Sequence, residues 1–315
     1  MKNRHQRGMA LLIVLLLMSM MTSIAVNMNE FWIQAINRNG TLQFQQQAKW
    51  VLFGAEARLK QQISTASASK IDMSKTLARI GQSLHLDEYL VQMKIIDRQG
   101  CFNLNAINQA MTDSEEQKQP YPKRVFIQLL QNQGVIESEA IAITAALSDW
   151  IDEKASTQSN VLAKKRASHR PLSDISEIRV LPRIDRKLYL KLLPFVCVLP
   201  EDTLKVNVNA LKPEQSSLLS ALLLGQITPV EAREIIESKP DTGWGEIDEI
   251  YKESLLERGK AVFTEFSQVA VLTSDYWDIL LWIEQQDRYF QLTSRLKYDK
   301  NSFHIIQRNY GAAEY

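Results

Sequence analysis

The chain has 315 residues, 45% of them hydrophobic and 23% charged, and 37 basic against 36 acidic side chains leave a net charge of +1. That balance excludes an intrinsically disordered chain and supplies enough apolar residues for one or two cores. It also excludes a global basic field for nucleic acid.

Lys2, Arg4 and Arg7 precede Gly8, and no residue from Gly8 to Asn29 is charged. As a helix this stretch spans roughly 33 Å, about one hydrocarbon core. The unbalanced cations favour a cytoplasmic N-terminus, with everything after the span on the far side of the membrane. A secretory signal ends in small residues after its apolar run, and Ser23-Ile24-Ala25 offers only a poor version of one. The sharper junction is Arg7-Gly8-Met9, before the run. It resembles the type IV prepilin signal, which a peptidase on the cytoplasmic face cuts after the glycine before methylating the new amine. A residue without a Cβ lets a protease approach the backbone closely. An uncleaved anchor and a conventional signal peptide are the competing readings.

Counted from Met9, the fifth position is Ile13. Pilin-like subunits usually carry glutamate there, paired with the N-terminal amine of a neighbour. An unpaired carboxylate in hydrocarbon is costly. A subunit without it has no such amine to neutralise, so Ile13 points to the tip of a filament.

Beyond the span, Phe44, Ala48, Val51, Leu52, Ala55 and Leu59 recur at three and four residues, which predicts one long amphipathic helix past Leu59. Gly40 reads as a local softening in it, and the stretch from Ser64 to Ser69 as the linker after it. Tyr89 to Asp97 reads as a strand ended by a turn at Gln99-Gly100. Phe102-Asn103-Leu104-Asn105-Ala106 is echoed by Val206-Asn207-Val208-Asn209-Ala210, and helical patterns follow each copy. Ile141 to Ile151 predicts a helix, Lys154 to Arg170 a polar loop, and Pro171 to Ile178 a helix restart with Ser173 and Asp174 at capping positions. The tail alternates over Arg288–Tyr298 and Ser302–Arg308, which predicts a hairpin.

The second copy, with Ala232 to Ile236 and Gly243-Trp244-Gly245 after it, looks like a helix-hairpin-helix unit of competence DNA receptors. Such units hold phosphate on the backbone of a Gly-x-Gly hairpin. Here Leu224-Gly225-Gln226 replaces the glycine pair, with no lysine nearby. The repeat therefore reads as a scaffold, and a membrane-anchored DNA receptor is the alternative function.

The two cysteines, Cys101 and Cys197, lack the company a zinc site needs. Both fall beyond the span, where an oxidising periplasm allows a disulfide; two buried free thiols are the other reading. The four histidines, His5, His85, His169 and His304, are scattered and form no catalytic constellation.

Taken in order, the Gly8 junction, non-acidic Ile13, Cys101 to Ala106, Asp149-Trp150-Ile151-Asp152, Pro171 to Val180, Pro194-Phe195-Val196-Cys197 and Val206 to Ala210 resemble the general secretion pathway protein K family. The family is the large minor pseudopilin of type II secretion systems. The resemblance implies an α+β pilin-like fold: a long N-terminal transmembrane helix, a small antiparallel sheet, and a large inserted helical domain of SAM-like or helix-hairpin-helix-like kind. The corresponding organisation is a leader at 1–8, a helix at 9–64, the first part of the sheet at 65–104, an inserted helical domain at 105–283 and a closing hairpin at 284–315.

It further implies a non-enzymatic, single-pass inner-membrane protein at the pseudopilus tip, initiating or capping assembly for the export of folded periplasmic proteins. The implied partners are minor pseudopilins I and J, pseudopilins G and H, the prepilin peptidase, the inner-membrane secretion platform and membrane lipid, with no nucleic acid. Members of the family bind calcium after the Asp-Trp-Ile-Asp segment, which makes Asp152 and Glu153 the candidate ligands. Calcium takes six to eight oxygens. The loop that follows reads Lys154 to Asn160 and then Lys164-Lys165-Arg166, without further acids. Asp149 and Glu153, one turn apart, otherwise read as a solvated face.

Overall fold

The computed structural model describes residues 4–66, 83–86, 88–110, 119–152, 169–252, 260–285, 287–299 and 302–311. Helix α1 (Arg4–Ala66) runs unbroken for 63 residues, about 95 Å at the usual rise. Its second half buries Phe44, Ala48, Leu52, Ala55 and Leu59, the face that the sequence spacing predicts.

That face packs on a five-stranded antiparallel sheet of order β1-β2-β7-β8-β9. The strands are β1 (Ser83–Leu86), β2 (Tyr89–Asp97), β7 (Tyr276–Gln285), β8 (Arg288–Asp299) and β9 (Ser302–Tyr310). Alternation puts Val91, Met93, Ile279, Leu281, Ile283, Leu292 and Leu296 on the helix side, where they form one core with α1. Each fully buried Leu or Ile there contributes roughly 1.5–3 kcal/mol.

Between β2 and β7 the chain builds a separate body. It contains β3 (Phe102–Asn103), α2 (Tyr121–Asn132), α3 (Glu137–Ile151), α4 (Arg186–Leu192), β4 (Val196–Cys197), β5 (Val206–Asn207), α5 (Ser216–Leu222), α6 (Pro229–Glu237), α7 (Ile247–Lys252), α8 (Lys260–Val269) and β6 (Ala270–Val271). Two-residue parallel pairs, β3 with β4 and β5 with β6, tie its ends. Phe102, Tyr121, Phe126, Leu129, Leu192, Leu219 and Phe266 are among the residues of its own core.

Three local expectations change. The C-terminal stretch contributes three strands rather than a hairpin alone, because β7 begins at Tyr276, inside the range read as helical; Trp277-Asp278-Ile279-Leu280-Leu281 is buried on both faces and shows no in–out alternation. The restart near Pro171 is a 3-10 helix, Ile175–Val180, with Asp174 and Glu177 forming the capping box. Gly40 does not interrupt α1. A Cβ there would lie 2.9 Å from the Arg288 guanidinium, so the glycine makes room for that side chain.

Candidate functional site

The first half of α1 is the first functional element. Gly8 and Met9 lie inside the helix, and Ile13 sits in an apolar run that is exposed on all sides, 54% in its own case. Mean hydropathy reaches 2.2 within Leu11–Gln62, and none of that apolar window is buried. Three polar side chains in the run bond back to the helix: Ser19 Oγ donates to the Leu16 carbonyl, Thr22 Oγ1 to that of Met18 and Asn27 Nδ2 to that of Ser23. A helix with internally satisfied backbone and side chains suits hydrocarbon. Phe31 and Trp32 follow, both exposed, where aromatic residues mark a membrane boundary.

Two contacts fix where the sheet joins α1. At the span-proximal end, Arg288 Nη1 donates to the Gly40 carbonyl at 3.1 Å. Further up, Glu56 is buried among the apolar residues of α1, where Ser294 Oγ donates to its carboxylate. Arg308 covers it from β9, Nη2 to Oε2 at 2.7 Å and Nε to Oε2 at 3.0 Å. A bulge makes this possible. The β8–β9 register shifts between Arg295 and Leu296, so Ile306 is left over. Phe303 and Ile305 face α1 below the bulge, and the extra residue returns Arg308 and Tyr310 to the same face above it.

These contacts also set direction. β8 climbs from Arg288 near Gly40 to Ser294 near Glu56, away from the span. β2 ends and β7 begins at the opposite end of the sheet, where Asp97 pairs with Trp277. The helical body therefore leaves the sheet at the end farthest from the membrane helix.

Polar groups and one covalent bond hold that exit. Asp97 accepts from Ser274 Oγ at 2.6 Å, from Asn207 Nδ2 at 3.0 Å and from the Gln99 amide at 2.8 Å. Burial raises its pKa, and the lowering by these hydrogen bonds does not cancel that effect. Asp278, 1% exposed, lies between Arg98 at 3.1 Å and Arg295 at 2.9 Å. Glu201 accepts from Tyr276 Oη and Lys297 Nζ, each at 2.7 Å. Burial alone raises Glu201, but those two donors and the charges of Lys297 and Lys205 bring it below its ordinary value. Burial and Glu201 together push the Tyr276 hydroxyl up to about 12. Beside Tyr276, Cys101 and Cys197 are joined by a disulfide, with their Cα atoms 5.8 Å apart.

The internal repeat has one hydrogen-bond pattern used twice. Asn103 Oδ1 accepts from the Asn105 amide, as Asn207 Oδ1 does from Asn209. Asn105 Nδ2 donates to the Leu172 and Leu199 carbonyls while its Oδ1 accepts from Leu172 N. Asn209 does the same with Trp244 and Leu272: Nδ2 to both carbonyls, Oδ1 from Trp244 N. Each asparagine thus spans two distant strands of chain. Gly243 adopts φ +78°, and a Cβ there would lie 3.0 Å from the Asn209 side chain.

Of the predicted calcium ligands, Asp152 ends α3 and its carbonyl lies 3.0 Å from His169 Nδ1. Glu153 lies outside the described residues. Among the described residues no group of three His, Cys, Asp or Glu gathers that could hold a metal. The loop that follows, with Lys164, Lys165 and Arg166, also lies outside the described residues.

Sequence reasoning missed Glu56, Arg308, Asp278, Glu201 and Lys297. One signal was available: Glu56 is a lone acid on an otherwise apolar stripe of α1, a position that demands a partner.

Two family models described as type II secretion system protein K match residues 100–201 and 206–271. The chain belongs to the type II secretion system protein K family. The two matched segments begin at the two copies of the asparagine repeat. The chain is 34% identical to type II secretion system protein K of Klebsiella pneumoniae over 98% of both proteins. It is 32% identical to that of Pectobacterium carotovorum over 98% of this chain and 97% of the relative. One chain of the crystal structure of the GspK–GspI–GspJ complex from enterotoxigenic Escherichia coli superposes with a TM-score of 0.74 at 27% identity, covering 88% of this chain and all of that one. Membership of this protein K family does not favour a competence-type DNA receptor.

Proposed function

We propose that this chain is the minor pseudopilin at the tip of a type II secretion pseudopilus, where it initiates or caps assembly with minor pseudopilins I and J. The observation that carries this reading is the placement of the helical body at the end of the sheet farthest from the membrane helix. A bulky body there obstructs stacking of a further subunit above. Ile13, without a carboxylate, fits the same place: no amine from a subunit above needs a partner.

In this reading the N-terminus is cytoplasmic, α1 crosses the inner membrane once, and prepilin peptidase cuts between Gly8 and Met9. Pseudopilins G and H and the inner-membrane platform are the remaining partners, and the role is structural rather than catalytic. The body inserted between β2 and β7 acts as a helical scaffold of SAM-like kind, its two halves clamped by Asn105 and Asn209. Co-expression of the full chain with pseudopilins I and J, followed by purification from membranes, tests this. The expected result is a stable three-way complex in which this chain begins at N-methylated Met9, and Gly8→Val leaves Met1 in place. A chain starting near Val26 with no association removes the reading.

A further inference from the structure

The sheet stands close to the apolar run of α1, and the distance between them is fixed by one continuous helix. Below Gly40 the helix is bare, and its apolar surface does not stop at Phe31 and Trp32: Ile33 and Ile36 follow, 51% and 64% exposed. Packing begins at Gly40, whose carbonyl accepts from Arg288 Nη1. That is eight residues past Trp32, about 12 Å of helix. The headgroup layer is itself roughly 5–7 Å deep on each side of the hydrocarbon. A sheet at this height stands either on that layer or a few ångströms above it. Ile33 and Ile36 decide between the two. A helix that sinks until both leave the water gains roughly 1.5–3 kcal/mol for each one fully buried. This brings the base of the sheet down to the headgroups and leaves Glu30 near the end of the span, where a charge still reaches water.

We propose that the membrane-proximal end of the sheet, together with the bare turns of α1 below it, is a seat for the outer face of the bilayer that α1 crosses, built for zwitterionic phospholipid headgroups. The inference rests on the reading of α1 as a membrane span, and that span supplies the occupant: the lipid surface is continuous with it. Asp97 and Trp277 mark the distal end of the sheet, so Glu88, before β2, and Asp287, before β8, lie at the end that faces the membrane. Leu90 and Tyr289 offer exposed apolar and aromatic surface there, the composition that lodges at a membrane boundary. Exposed Glu284 stands opposite Tyr289 in the ladder. With Arg38 and Arg288, these acids leave two cations against three anions, a net charge of −1. Such a rim does not select an anionic lipid surface, which attracts clustered cations. It matches a headgroup that carries both signs: the phosphate accepts from the guanidinium groups, and the ammonium donates to the carboxylates. Arg288 gives one of its N–H groups to Gly40, and a guanidinium has five.

The test places the full chain in nanodiscs of phosphatidylethanolamine mixed with phosphatidylcholine and follows amide hydrogen exchange over residues 284–290. Ile33→Gln with Ile36→Gln is the comparison, since it removes the pull toward the membrane at positions that pack on nothing in the fold and leaves the span before Glu30 intact. Exchange over residues 284–290 should be at least about fivefold slower in the wild type than in that variant. Exchange around Asp275, at the distal end, should be equal in the two. A nitroxide carried on an unnatural amino acid at position 289 should be relaxed by a nickel chelate lipid in the wild type and lose that relaxation in the variant, while one at position 230, on the helical body, should show none in either. Equal exchange and equal relaxation in the two proteins overturn the proposal. Stronger protection in nanodiscs of phosphatidylglycerol than in the zwitterionic mixture also overturns it, in favour of a surface that binds anionic lipid. A wild-type chain that alkaline carbonate strips from membranes removes the reading of α1 as a span, and this inference with it.

Discussion

Arg308, on the last strand, forms a two-nitrogen ion pair with Glu56, buried in the first helix 252 positions earlier in the chain. The pair joins the two ends of the sequence, and it exists only because Ile306 is bulged out of the ladder. Glu56 is buried but the Arg308 side chain is 42% exposed, so removing Arg308 leaves the carboxylate uncompensated at less than the ~3–5 kcal/mol of a fully buried pair. Arg308→Ala should therefore lower stability by about 1–3 kcal/mol in chemical denaturation. Replacing both, Glu56→Leu with Arg308→Leu, should recover most of the loss, since an apolar pair of similar volume is often neutral. A loss below about 1 kcal/mol for Arg308→Ala would show that solvent screens the pair.

The disulfide closes a loop of 96 positions around the first half of the helical body. On chain-entropy grounds such a crosslink stabilises by up to about 4.7 kcal/mol. Cys101→Ser with Cys197→Ser should lower the midpoint of denaturation accordingly, and alkylation of the unreduced wild type should find no free thiol. Labelling of two cysteines in the oxidised protein contradicts the bond.

Much of the architecture was legible because periodicity reports burial. The stripe from Phe44 to Leu59 on α1 and the alternation of β2 and β8 are one-sided patterns, and the structure buries the sides they indicate. β7 was not legible, because both of its faces are covered and Tyr276, Asp278 and Leu280 are buried opposite Trp277 and Ile279. The asparagine repeat was visible as a pattern, but its purpose was not. Asn105 and Asn209 act on Leu199 and Leu272, residues that only the fold brings near. The same holds for the exit from the sheet, where Asp97 and Ser274 are separated by 177 positions. Partners this far apart leave no local trace unless one of them, like Glu56, stands as a lone acid on an apolar stripe.

Asn105 makes three hydrogen bonds with backbone of two segments, all buried. Asn105→Ala leaves the Leu172 amide and two carbonyls unpaired, and each such group costs about 1–3 kcal/mol. The expected loss is about 2–5 kcal/mol, with Asn209→Ala behaving alike because its contacts are equivalent. Asn105→Asp should also destabilise, since a carboxylate cannot donate to the Leu172 and Leu199 carbonyls. Denaturation curves of the three variants check this; stability within about 0.5 kcal/mol of wild type in both alanine variants would reduce the clamps to incidental contacts.

Asp97 and Glu201 give the stability a pH dependence with two opposed parts. Burial holds the Asp97 pKa above its ordinary 3.8. Its contribution is thus fully present below that value and is lost as pH rises through the higher folded value. Glu201 is held below its ordinary 4.5 by Lys297 and Tyr276 against the effect of burial. Its contribution is present above 4.5 and is lost as pH falls through the lower folded value. Asp97→Asn should therefore make stability rise more steeply, or fall less, as pH increases from about 4 to about 7, while Glu201→Gln should remove part of the loss on acidification. Denaturation midpoints from about pH 2.5 to about 7 decide it. Asp97→Asn pays a fixed penalty at every pH, because its amide faces the Asn207 Nδ2 donor. The slope, not the level, is the readout, and a pair of variants whose slopes change in the same direction would contradict the opposed shifts.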